Sequence, residues 1–277
     1  MRKKGSYIIL TLVFLVGLAL LLYPTVSDWW NSFHQSRAIM NYTETVSGLN
    51  AEEYERLYQA AVDYNAKIPY RTNPFKLSPA EEAEYNSVLN LGDNGIMGFI
   101  DIPVINCHLP IYHGTEEAVL QTSIGHIEWS SLPIGGPGTH TVLSGHRGLP
   151  SAKLFIDIDK MVEGDLFTLS VLDEVLTYEV DQILIVEPQD ISSLQIVPGM
   201  DYCTLVTCTP YGINTHRLLV RGHRIPTDEL NNVRVSADSV QIEPLFVAPL
   251  VGVPLLVLMI CLQFAWDRRH RQEEWED

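Results

Sequence analysis

Cys208 closes an apolar, β-branched run, Thr204-Leu205-Val206-Thr207-Cys208, and a Thr209-Pro210-Tyr211-Gly212 turn follows it. Arg217 opens a second such run, Arg217-Leu218-Leu219-Val220-Arg221-Gly222. The two runs read as a hairpin-like pair of strands. A cysteine that ends a strand beside a loop is partly exposed, and a guanidinium on the neighbouring strand brings positive charge to it. Those conditions turn an inert thiol into a thiolate nucleophile. Upstream, Ser144-Gly145-His146-Arg147-Gly148 places an imidazole at the end of the apolar run 139–143, between residues that leave it room to face a cleft. Cys208, His146 and Arg217 therefore form a candidate catalytic constellation. In it Arg217 has a defined use: hydrogen bonds to a carbonyl and to the oxyanion that develops when the carbonyl is attacked.

Each residue also has a plainer reading. Cys208 could be a buried strand cysteine, Arg217 a member of a surface ion pair, and His146 a satisfied surface histidine, one of nine histidines in the chain. A zinc site is the rival use of a Cys/His set. No Cys-x-x-Cys, His-x-x-x-His or His-Glu-x-x-His spacing occurs, so no metal is expected. Cys203 lies five residues before Cys208 and points to the opposite strand face. With Cys107 it leaves two readings open, a bridge or two buried free thiols, of which the second is favoured. Cys261 lies in an apolar stretch and reads as a small apolar residue.

Several elements must position these groups. After Gly92 the chain becomes short apolar runs separated by Gly, Pro and Asp, at 96–102, 104–111, 139–143, 166–171, 175–187, 202–208 and 216–222. That texture predicts an all-β barrel or sandwich, with short helical connections at 115–128 and 151–160. Residues 28–68 read as helix, interrupted at Gly48. Trp29, Trp30, Phe33, Ile39 and Met40 lie in the first part. Asn50 and Glu53 form a capping box for the second, where Tyr54, Leu57, Tyr58, Ala61 and Tyr64 recur at helical spacing. This segment is expected to brace the barrel, with its aromatic residues packed on the core. Residues 69–79 carry three prolines and read as a loop, and 80–90 as a short helix.

Two uncharged segments, 7–23 and 245–266, are long enough to span a bilayer. Arg2, Lys3 and Lys4 precede the first, and Arg268, Arg269 and Arg271 follow the second. This puts both termini in the cytoplasm and the middle of the chain outside. A cleaved signal peptide is the alternative for the first segment, but no small-x-small site follows it, which favours a retained anchor. The expected organisation is an anchor at 1–24, a helical stalk with a loop near 70–77 at 25–91, the barrel at 92–226, a linker at 227–244, a second span at 245–266 and a cytoplasmic tail at 267–277. The net charge of −16 argues against a nucleic-acid partner.

The run Thr204-Leu205-Val206-Thr207-Cys208 with Arg217 resembles the Thr-Leu-x-Thr-Cys…Arg signature of sortases, the cysteine transpeptidases of Gram-positive surfaces. Ser144 to Ser151, Lys153-Leu154-Phe155 and the longer run Cys208 to Gly222 are similar to the pilus-assembling class C branch. The resemblance covers about residues 92–226. It implies a closed β-barrel of about eight strands with N-terminal helices alongside and a transmembrane helix at each terminus. It implies attack by Cys208 on an LPXTG-like sorting signal of a pilin or surface protein, with His146 as acid, Arg217 holding the carbonyl, and no cofactor. Resolution of the acyl-enzyme by a pilin lysine would polymerise pili, whereas a cell-wall amine would anchor proteins to peptidoglycan. The branch also carries a lid, whose Asp-Pro-aromatic motif is matched by Asn73-Pro74-Phe75. Phe75 would cover Cys208, while Asn73 could hydrogen-bond Arg217 without forming a salt bridge. An L,D-transpeptidase would need a histidine two residues before the thiol, where Val206 stands. A non-enzymatic scaffold would have no use for the three groups together.

Overall fold

In the computed structural model, residues 2–92 and 94–227 are described, with side chains from residue 11 onward. Contacts divide them into two units, one of residues up to Val26 and one beginning at Ser27. The expected linker, second span and tail lie outside the described residues.

Helix α1 runs from Arg2 to Ser47 through Pro24. Among the described residues it is the one helix long and apolar enough to cross a membrane. Helix α2 (Ala51–Lys67) opens with the expected capping box. Asn50 Oδ1 accepts from the Glu53 amide at 2.9 Å, and Glu53 Oε2 accepts from the Asn50 amide at 3.2 Å. A 3-10 turn at Ile68–Tyr70 leads into a loop, and helix α3 (Pro79–Ser87) follows with its own box from Ser78 and Glu81.

Eight strands then close a barrel: β1 (Ile96–Ile102), β2 (Cys107–His113), β3 (Ile124–His126), β4 (Thr139–Ser144), β5 (Leu166–Val171), β6 (Glu174–Val186), β7 (Asp201–Thr209) and β8 (His216–Ile225). Their order around the barrel is β1-β2-β3-β4-β7-β8-β6-β5. Closure leaves no free sheet edge. Alternate residues of each strand point inward, so Leu143, Leu205 and Val220 join Phe155, Phe167 and Tyr178 in the central core. From α2, Ala61 and Tyr64 are buried in that core, and Tyr54, Leu57 and Tyr58 pack at its edge.

Three expectations change. Residues 115–128 hold only one helical turn, α4 (Glu117–Leu120), and then β3. β3 is three residues long and pairs in parallel with β2, too short for a period-2 pattern to register. Residues 151–160 hold only a 3-10 turn at Ile158–Lys160. The aromatic residues at 29–33 of α1 do not pack on the core: Trp29, Trp30 and Phe33 are exposed, as is Met40. The buried stripe of that helix is instead Gln35, Ile39, Tyr42 and Val46. Tyr42 donates to Met97 O and accepts from the Leu172 amide, both at 2.8 Å.

A buried histidine at the end of β3 makes stability acid-sensitive. His126 Nε2 lies 2.8 Å from Ser131 O, and Nδ1 lies 3.0 Å from the Tyr85 hydroxyl. A neutral ring donating at Nε2 satisfies both contacts, and that tautomer is inferred from the network. Burial pushes the His126 pKa down to about 3, and burial likewise lowers His113 and His140. The unfolded chain takes up these protons first, near the ordinary value of about 6.5. Stability is therefore full above that value and is lost as pH falls through the window toward 3. The urea midpoint is expected to drop steadily between neutral pH and pH ~4, and His126→Asn should show a shallower decline from a lower starting point.

Candidate active site

Cys208 and Arg217 are direct cross-strand partners at the turn end of the β7–β8 hairpin. Antiparallel partners share a face with Cβ atoms about 4.5–5.5 Å apart, which puts the guanidinium stem beside the thiol. The turn between them is tight, with the Ile213 and Asn214 amides both donating to Pro210 O at 3.0 Å. Arg217 Nη1 donates to His216 O at 3.2 Å and Asn214 O at 3.4 Å, so the turn itself orients the guanidinium.

His146 arrives from the other side of β7. Strands β4 and β7 run parallel in a register that pairs Ser144 with Val206. Cys208 lies two residues past Val206 on β7, and His146 two residues past Ser144 in the loop that follows β4. The backbone around it is held at several points. The Gly145 amide donates to Val206 O at 3.1 Å, the Thr207 hydroxyl donates to Gly145 O at 2.8 Å, and the Phe155 amide donates to His146 O at 3.1 Å. Arg147 ties the following loop down through Ile156 O at 3.2 Å and the Asp159 carboxylate. Gly145 is required at its place. A Cβ there would lie 2.7 Å from the Phe155 ring and 2.9 Å from Ile124. Gly148, with φ of +91°, is covered by the Tyr211 ring, which links the thiol's turn to the histidine's loop.

The three groups stand at one end of an apolar floor on the barrel's outer face. Val142, Val206 and Leu219 are buried there beneath Leu194, with Leu184, Val186, Ile127 and Trp129 around them. Leu194 comes from the β6–β7 connection. That connection is fastened to the floor by His140, whose Nδ1 meets Gln195 O at 2.9 Å and whose Nε2 meets the Thr204 hydroxyl at 2.7 Å.

Cys208 is partly exposed, whereas Cys107 and Cys203 are buried and free. Burial pushes the Cys107 thiol up to about 12 and the Cys203 thiol well above its ordinary value, so neither forms a thiolate near neutral pH. Of these three, Cys208 alone combines exposure with a neighbouring cation. One group at the site carries no signal in the sequence. Glu117, at the start of α4, places Oε2 3.9 Å from His146 Nε2. Asn73, Pro74 and Phe75 lie in the loop after α2. Asn73 Oδ1 accepts from the Phe75 amide at 3.1 Å, and the Phe75 ring meets Trp129 edge-on at 5.3 Å. The candidate lid thus sits at the margin of the apolar floor.

A closed eight-stranded barrel with a partly exposed thiol, a guanidinium and an imidazole on one rim has the layout of a cysteine acyltransferase. The chain matches the sortase domain family over residues 100–225. It is 55% identical to sortase C1 from Streptococcus agalactiae, with a TM-score of 0.68, covering 69% of this chain and 100% of that one. With sortase C of Streptococcus pneumoniae the identity is 46% and the TM-score 0.62, covering 69% of this chain and 97% of that one. Sortase D of Bacillus subtilis is 27% identical over 179 residues, 59% of this chain and 87% of that relative. The chain belongs to the sortase family of cysteine transpeptidases, and its structural neighbours are class C sortases.

Proposed function

We propose that this enzyme cleaves an LPXTG-like sorting signal between Thr and Gly and joins the threonyl group to a lysine of another pilin subunit. The observation that carries the reading is the Cys208–Arg217 register pair at the end of one apolar floor, with His146 in the loop just past the adjoining strand β4. The Cys208 thiolate attacks the threonine carbonyl carbon, and Arg217 donates to the carbonyl oxygen as it gains charge. The C–N bond breaks, and the imidazolium of His146 gives its proton to the departing glycine amine. A thioester remains. A lysine amine then attacks it, His146 takes the amine's proton, and Cys208 leaves as thiolate, so that an isopeptide bond forms and the enzyme is restored. The apolar floor suits the leucine and proline of such a signal. Among the neighbours is a structure of Clostridium perfringens sortase C with the C-terminal cell wall sorting motif. On this reading the barrel works outside the membrane, held by the span in α1 and a second span at 245–266, with both termini cytoplasmic.

The test uses the full-length chain in detergent with a sorting-motif peptide. Intact mass should show the threonyl adduct on Cys208 and release of the Gly-initiated fragment. Absence of both from folded enzyme with a reduced thiol would overturn the reading. Co-expression with a pilin separates the two acceptors, since a ladder of covalent high-mass polymers marks lysine and a wall-linked monomer marks peptidoglycan.

The segment Asn73-Pro74-Phe75 serves in this scheme as a lid. Asn73 steadies Phe75 within its own turn, and the contact that holds the lid shut is the ring of Phe75 on Trp129. Such a contact is worth about 0.5–1.5 kcal/mol. Phe75→Ala is accordingly expected to speed alkylation of Cys208 by roughly 2- to 10-fold. An unchanged rate would make the segment an ordinary proline-containing loop.

A further inference from the structure

We infer that the outward face of α1 around Trp29, Trp30 and Phe33 is a lipid-binding surface that lies in the headgroup region of a phospholipid bilayer. The first turns of the helix in the barrel unit are arranged inside out. Their polar residues face the protein: Asp28 Oδ1 accepts from the Lys153 amide at 2.8 Å, Asn31 donates to Ser151 O at 2.7 Å, and Gln35 donates to Thr122 O at 2.5 Å. Their large aromatic residues face away, with Trp29, Trp30 and Phe33 exposed at 65%, 58% and 53%. A helix bathed in water on its outer side carries the opposite arrangement.

The outward rings form one patch. Trp29 stacks on Phe33 with centroids 6.4 Å apart, and Trp30 lies against His34 at 4.6 Å. The patch begins six residues after Tyr23, where the uncharged run ends, and gives way to the exposed Ser36 and Arg37. Tryptophan is enriched where hydrocarbon meets water because its ring is apolar while its N–H seeks a polar partner. A surface built to bind a second copy of this chain has no reason to begin so close to a run able to cross a membrane. Lipid therefore fits the position as well as the chemistry. The same two turns hold the loop that follows His146, through Ser151 and Lys153, so the lipid contact and the histidine's loop share one support.

The experiment places the full-length chain in vesicles of phosphatidylcholine and phosphatidylglycerol whose acyl chains are brominated at either shallow or deep positions. The emission difference between wild type and Trp29→Phe/Trp30→Phe isolates these two indoles from the chain's other tryptophans. Shallow bromines are expected to quench that difference more strongly than deep ones, and aqueous acrylamide to quench it weakly. Strong quenching by acrylamide with none by bromolipid would place the indoles in water. Protection from both quenchers would place them under protein, such as a second copy. Either result overturns the inference. Phenylalanine keeps most of the ring volume at exposed positions, and an unchanged circular-dichroism melt confirms that the variant is folded. In that background Phe33→Trp is expected to restore an emission with the same depth profile.

Discussion

Cys208→Ala is expected to abolish formation of the threonyl adduct, lowering turnover by roughly six orders of magnitude, the size seen when a serine protease loses its nucleophile. The size follows from what is lost. Arg217 and the apolar floor can still bind and polarise a substrate, but no bond to the enzyme can form, and water must attack without a held position. The substitution removes one partly exposed sulfur and should leave the thermal midpoint nearly unchanged. The other two cysteines of the barrel provide the contrast. Cys107→Ala and Cys203→Ala remove thiols that burial keeps protonated. They should retain adduct formation while losing about 1 kcal/mol or more of stability to the small cavity left behind. Peptide mapping after native-state alkylation gives an independent check, because among Cys107, Cys203 and Cys208 only Cys208 is expected to be labelled. Labelling of Cys203 at a similar rate would show that the outward and inward faces of β7 have been assigned wrongly.

Gly145→Ala should damage the enzyme twice over. The added methyl would stand 2.7 Å from the ring of Phe155, a fully buried residue with no open space to retreat into. Overpacking of this kind costs about 1–3 kcal/mol. The strand end can instead relax by moving, and it carries His146 with it. A displacement of about 1 Å at a reacting group can cost on the order of 100-fold in rate. The expected result is therefore a lower melting midpoint together with a fall in kcat of roughly two orders of magnitude, while Cys208 alkylation changes little. Combining Gly145→Ala with Phe155→Leu opens room at the clash and should recover part of both losses. Full additivity of the two substitutions would show that the methyl and the ring do not meet.

The comparison of sequence with structure divides along separation in the chain. Cys208, its turn and Arg217 lie within ten residues, and the apolar runs around them already read as a hairpin. The capping box of α2 was legible for the same reason, since all its partners lie within one turn of helix. β3 leaves no mark in the sequence, because a three-residue strand has no period and its pairing is parallel. Nothing near Glu117 in the sequence marks it as a neighbour of an imidazole twenty-nine positions later. The aromatic residues at 29–33 of α1 were misplaced because hydrophobicity alone does not say which of two apolar surroundings, core or lipid, a ring is meant to meet.

By itself, then, the amino-acid sequence determined which chemical groups are present, the local strands and turns that carry them, and a run long enough to cross a membrane. The tertiary structure decided their relation. A hairpin can slip by one residue and turn its partner side chain to the other face. It was barrel closure that set Cys208 opposite Arg217. Parallel pairing of β4 with β7, strands more than fifty residues apart, set the loop that carries His146 beside the strand that carries the thiol. Such pairings are chosen by packing of the whole core, a sum over contacts distant in the chain that no local pattern contains.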